Sequence, residues 1–264
     1  VLWVWVFSRL LSHSVALTMA DGGLDLFAMA AALGIDEDDE EEPNAVSSDW
    51  LLSLGAKPES NVVRTAVDAR TFGEQYEACG LPVVLKGCCD TWSCMEWTAA
   101  TLGATYGDVE FALFNGQRFA LREYLSYMNG RGEDDARPLY LFEDLSLVSP
   151  DEPKAALLEE YAVPEHFAGR DLFELCATDP ERPRFRWLLL GPARSGSLAH
   201  IDPHGTSAWN ALLRGTKRWA LLPPDVPAEL VLPELSPPVR GAADWFLRVL
   251  PELRADPRAA GRVV

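Results

Sequence analysis

The sequence predicts an α+β chain, mainly β, in which helices lead and strands follow. Three observations carry this. Upstream, apolar residues recur at helical spacing, with Leu121, Tyr124, Leu125 and Met128 falling on one face. From Phe185 onward the apolar runs shrink to five or six residues, and Gly191-Pro192, Gly196, Pro203, Gly205, Gly215 and Pro223-Pro224 separate them. Short runs punctuated in this way suit a sandwich or barrel. Finally, 264 residues with 48% apolar and 24% charged are enough to bury a core without disulfide or metal staples.

Taken in order, Val1–Thr18 is apolar but interrupted by Arg9 and His13, too short and too broken for a membrane span. It lacks the charged start of a signal peptide, and Met19-Ala20-Asp21 reads as a true start. A short helix is expected at about Leu24 to Leu33. The seven acids Asp36–Glu42, closed by Pro43, repel one another and read as a solvated linker, so residues 1–60 form a leader and acidic linker. The domain itself is expected over 61–264.

Val62–Val67 begins with strand-like alternation, Thr71–Cys79 reads as a helix and Leu81–Leu85 as a buried strand. A helix starts near Ser93 or Met95. Val109–Phe114 is a strand ending in Asn115-Gly116, a strong hairpin signal. Phe119–Met128 is helical, Arg131–Arg137 a charged loop, Leu139–Phe142 a short strand, and Pro150–Phe173 a mixture of helix and loop. Four β-type runs follow: Phe185–Leu190, Leu198–Asp202, Ala208–Leu213 and Lys217–Leu222. There is no internal repeat.

Forty acids against 23 bases give a net charge of −17 and a pI near 4.6. That balance argues against direct nucleic-acid binding, which needs a basic surface. It suits solubility, or a Lys/Arg-rich protein partner. Cys79, Cys88, Cys89, Cys94 and Cys176 match no zinc spacing, and no histidine is close in sequence to the Cys88-Cys89 pair. Reduced thiols imply a reducing compartment, the nucleus or cytoplasm.

The chemistry concentrates in Gly191–Pro224, GPARSGSLAHIDPHGTSAWNALLRGTKRWALLPP. On a strand, His200 and Asp202 would share a face. An imidazole nitrogen beside a carboxylate suits a divalent ion such as Fe(II), as two members of a facial triad. An HxD pair alone is weak and is more often a surface His with a turn Asp, here before Pro203. Lys217 follows fifteen residues later in an apolar run, sharing a face with Trp219 and Leu221. A Lys there needs an anion, or it snorkels to solvent.

This string resembles the core of the JmjC-domain Fe(II)- and 2-oxoglutarate-dependent oxygenases. It is most similar to the branch of the JmjC arginine demethylase and lysyl hydroxylase once described as the phosphatidylserine receptor. The likeness runs from roughly Thr71 to Phe246, with Leu81–Leu85, Trp92, Trp97, Tyr124, Tyr127-Met128, Pro138–Tyr140, Tyr161–Pro164 and Asp171–Phe173 in the family's order. It implies a double-stranded β-helix, the jelly-roll or cupin-like core, behind a helical N-terminal part. It implies Fe(II) on His200 and Asp202, and the distal carboxylate of 2-oxoglutarate on Lys217. Asn210, Ser197 and Tyr140 match cosubstrate-pocket positions, with Ser197 where the branch carries Thr. Trp209 and Trp219 read as core, and His204, in a Pro/Gly turn, is not a ligand.

The family's third iron ligand is a downstream His, and no histidine follows His204. The expectation is an incomplete barrel, read as a C-terminally truncated piece of a longer protein; a divergent form that lost the ligand competes. The implied function is an O2-using protein oxygenase that hydroxylates or N-demethylates Lys or Arg side chains of a basic partner, such as a histone tail. The alternative is a non-catalytic JmjC-like module that binds basic partners.

Overall fold

The computed structural model describes residues 2–4, 62–176 and 182–263. The expected helix at 24–33 and the acidic block lie outside the described residues.

Strands β1 (Leu2–Val4), β2 (Val63–Thr65), β3 (Val83–Leu85) and β8 (Trp209–Ala211) form one sheet in the order β2-β3-β1-β8. β2 runs parallel to β3, with Val63 opposite Val83. β1 is antiparallel to both neighbours, Trp3 standing between Val84 and Asn210. Val83, Val84 and Leu85 are all buried, as expected of an apolar strand covered on both faces. Helix α1 (Ala69–Phe72) is capped by Asp68, whose carboxylate accepts from Thr71 N–H at 2.7 Å, and continues as a wider turn over Gly73–Glu77.

After α2 (Ala99–Tyr106), the hairpin of β4 (Glu110–Ala112) and β5 (Arg118–Ala120) turns where expected. Gly116 takes φ 83°, which a side chain would resist. Helix α3 (Leu121–Met128) buries Leu121, Tyr124 and Leu125 against Phe111, Leu141 and Leu157. The Tyr124 hydroxyl lies 2.7 Å from the Leu190 carbonyl and accepts from Leu141 N–H at 3.2 Å. It thereby ties α3 to both strands of the antiparallel pair β6 (Leu141–Asp144) and β7 (Trp187–Leu190). Below this pair lies α4 (Ala155–Glu159), from which Leu157 joins the same core.

The C-terminal part departs from expectation. It is not all-β: α5 (Ala228–Val231), α6 (Ala242–Arg248) and α7 (Leu250–Ala255) close it. Trp245, Val249, Leu250 and Leu253 pack on Ala199, Ala220 and Leu222, and Trp245 Nε1 donates to the Val231 carbonyl at 2.7 Å. Leu198–Asp202 is not a strand, and Lys217–Leu222 stays outside the ladders apart from a bridge at Leu222. The expected alternation in the second run survives. Trp219 and Leu221 meet Val62 and Val84, while Ala220 and Leu222 meet the C-terminal helices. Side-chain packing on both faces holds this run where ladder pairing is limited to Leu222. Among the described residues the architecture is mixed α+β, with more helix than strand rather than mainly β. Its sheets of four, two and two strands do not close into a barrel. No helix among them is long and apolar enough to cross a membrane.

Candidate active site

The site is built on the loop that leaves β7. A Cβ at Gly191 would lie 2.1 Å from Ser195 Oγ and 2.8 Å from Tyr140 Cδ2, so only glycine lets the chain pass between them. The loop then buries Ser197 and Ala199 and brings His200 and Asp202 inward, while Ile201 between them faces solvent. The same-side placement expected of a strand is therefore achieved without one. The bend at Pro203–Gly205, where the Asp202 carbonyl accepts from Gly205 N–H at 3.0 Å, ends the run instead.

His200 Nδ1 lies 2.8 Å from the Leu198 carbonyl. An amide oxygen only accepts, so Nδ1 carries the proton and the lone pair falls on Nε2. Nε2 faces Asp202 Oδ1 at 3.3 Å. That oxygen is buried with no hydrogen-bond partner among the described residues, an expensive state for a carboxylate. Burial, reinforced by the charge of Lys217, lowers His200 to about 4 against the opposing effect of its hydrogen bond to the Leu198 carbonyl. Burial alone raises Asp202 to about 7. The 3.3 Å approach is thus a neutral imidazole beside a carboxyl poised to ionise, not a standing ion pair.

Lys217 Nζ sits 4.2 Å from the centroid of the Trp219 ring. Burial pulls the ammonium down to about 8, and no carboxylate pairs with it among the described residues. Its field reaches His200, whose Nε2 in turn meets Asp202 Oδ1. Tyr140 stands beside Gly191 and Ser195, and its hydroxyl is pushed up by burial. Ser197 lies buried three residues before His200, and Asn210 is half-buried at the centre of β8. His204 stays apart: it is exposed, at φ 58°, with its ring against Phe173 at 5.8 Å.

The donor pair fits a divalent metal. Ligand bonds of about 2.1 Å at right angles separate neighbouring donors by about 3 Å, close to the observed 3.3 Å. One neutral nitrogen and one carboxylate oxygen are the donors Fe(II) accepts. Among the described residues no third His, Cys, Asp or Glu gathers with them. Two participants escape the residue pattern: the Leu198 carbonyl, which carries no side-chain signal, and the Trp219 ring under Lys217, which the alternation does place on the same face. Elsewhere, His166 lies 3.8 Å from Cys88 Sγ despite a separation of 78 in sequence, so the absence of a histidine near that cysteine holds in sequence but not in space.

No family model matches the chain. It is 39% identical over 210 residues to an arginine-specific demethylase, JMJ22, of Arabidopsis thaliana, covering 75% of this chain and 40% of that protein. It is 41% identical over 168 residues to the bifunctional arginine demethylase and lysyl-hydroxylase psr-1 of Caenorhabditis elegans, covering 61% of this chain and 40% of that one. It is 39% identical over 166 residues to the lysine-specific demethylase JMJ21 of A. thaliana, covering 61% of this chain and 17% of that protein. The chain thus spans less than half the length of each of these relatives. Across most of its own length, it is a homologue of the JmjC arginine demethylase and lysyl-hydroxylase branch.

Proposed function

We propose that this chain carries the cosubstrate half of an Fe(II)- and 2-oxoglutarate-dependent protein oxygenase acting on Lys or Arg side chains of a basic protein, within a double-stranded β-helix. The observation that carries this reading is a buried carboxylate oxygen with no hydrogen-bond partner among the described residues, beside an imidazole that feels a lysine ammonium with no carboxylate partner among them. His200 Nε2 and Asp202 Oδ1 stand 3.3 Å apart, and Lys217 lies within electrostatic reach. His200 and Asp202 would hold the metal; bound iron supplies the oxidising power, with O2 and 2-oxoglutarate consumed.

The chain's own residues prepare that chemistry. The Leu198 carbonyl holds the His200 tautomer whose Nε2 lone pair is available. Burial keeps the imidazole unprotonated at neutral pH. Asp202 sheds its proton as a cation arrives, since a metal favours the carboxylate. Lys217 offers an ammonium to the far carboxylate of the cosubstrate, relieving its own lack of a counter-ion. Tyr140, Ser197 and Asn210 complete the cosubstrate pocket in this reading. The acidic charge of the chain favours a Lys/Arg-rich substrate such as a histone tail.

The test is 2-oxoglutarate turnover by the whole protein with Fe(II). Wild type is expected to turn over and His200→Ala to lose at least 100-fold, on the order expected for a lost metal ligand. Equal turnover in both would sink the oxygenase and favour a non-catalytic module that binds basic partners.

A further inference from the structure

Lys217 has a second relationship that the cosubstrate reading does not use. Its ammonium rests on the face of Trp219, and Trp219 is anchored in a small core with Val62, Val84 and Leu221, against which Phe246 packs. Val84 lies on β3, a fully buried strand of the four-stranded sheet. The ring is therefore held from below by a rigid element, whereas a lysine stem has four rotatable carbons and little to fix it.

We infer that Trp219 is a positioning residue for a dicarboxylate ligand, its ring fixing the Lys217 ammonium in a ready orientation so that the free N–H donors receive the ligand's carboxylate. This rests on the proposed role of Lys217. One face of the ammonium is stabilised by the ring's negative quadrupole. An ammonium carries three N–H donors, and one surface spent on the ring leaves the others for an anion. No protein carboxylate competes for them among the described residues. Holding the cation before the ligand arrives removes part of the ordering cost of binding. The same alternation that makes Trp219 a core residue also places it under Lys217, so packing and positioning are one arrangement.

The experiment measures binding of glutarate and of 2-oxoglutarate to the metal-free chain by ligand-observed NMR titration. Glutarate lacks the keto-acid end, so it reports on the Lys217 end alone. Fluorinated tryptophans placed at position 219 only keep the ring's shape while emptying its face of charge. Glutarate is expected to bind progressively more weakly as fluorines are added, reaching roughly tenfold for the most substituted ring. Leu102→Ala, which opens a cavity in the separate core around α3 and leaves the Trp219 anchor intact, is expected to bind glutarate within about twofold of wild type.

Unchanged or tighter binding across the fluorinated series overturns the inference, as does a Leu102→Ala loss equal to that of the fluorinated rings. Lys217→Met separates the two readings. If it loses glutarate while the fluorinated series does not, only the role of Trp219 falls. If it keeps glutarate, the cosubstrate role of Lys217 falls and takes this inference with it.

Discussion

Two of the described lysines lie over aromatic rings, and they have opposite surroundings. In the helical N-terminal part, Lys154 Nζ stands 4.7 Å from the Phe111 centroid and pairs with Glu143. Each of those side chains is only 7% exposed. Glu143 also accepts from Ala112 N–H at 2.5 Å, so this buried carboxylate is fully engaged. In the C-terminal part, Lys217 stands 4.2 Å from the Trp219 centroid with no carboxylate partner among the described residues. Nearby Asp202 keeps an orphaned oxygen. The first region has completed its polar groups internally, as a structural core must. The second leaves them incomplete among the described residues, as the proposed cosubstrate site requires.

Breaking the completed pair should have the largest effect. Glu143→Ala would leave the Lys154 ammonium and the Ala112 N–H buried without partners. A loss of about 4 kcal/mol is expected, read as a lowered urea midpoint with unchanged slope. A loss under about 1 kcal/mol would show that the pair is open to water, and the contrast with Lys217 would collapse.

Next comes Asp202. Its carboxyl is raised by burial to about 7, well above the unfolded value. The protonated form therefore stabilises the metal-free fold fully below about pH 4, and that contribution is lost as pH rises to about 7. Asp202→Asn imitates the neutral carboxyl and should lack this decline. Over pH 4 to 7 the variant should gain on wild type by on the order of 3 kcal/mol. Subtracting the two unfolding curves at each pH isolates this group from His200, which titrates in both. Parallel curves would mean that Asp202 already has an internal partner.

Much of the first region is legible in the sequence, and less of the second. The face of α3 reads directly because Leu121, Tyr124 and Leu125 repeat at helical period. The β4–β5 hairpin reads from Asn115-Gly116. The His200–Asp202 pair reads from spacing, although its geometry comes from a loop pinned by Gly191 and Pro203–Gly205 rather than from a strand. The helical C-terminus is hidden because α5, α6 and α7 have only four, seven and six residues. Such lengths complete at most two turns, and Pro227, Pro237, Pro238 and Pro251 interrupt any periodicity. Those helices form because Trp245, Val249 and Leu253 find Ala199, Ala220 and Leu222, a tertiary event with no local signal.

The smallest effect is the one that sharpens the comparison most, because its sign should reverse. Lys217→Met removes an ammonium that burial already disfavours and sets a thioether against the Trp219 ring, a contact that is itself favourable. With no carboxylate partner among the described residues, no buried anion there is orphaned by the change. The ring's attraction for the cation is forfeited, but so is the desolvation of the charge, and the second term is the larger for a lysine without a counter-ion. A gain of about 1 kcal/mol in unfolding free energy at pH 7 is expected, against the loss for Glu143→Ala, with the same urea measurement serving both. A stability loss in Lys217→Met comparable to that of Glu143→Ala would mean that Lys217 is structural, and that the two lysines differ in their neighbours but not in their purpose.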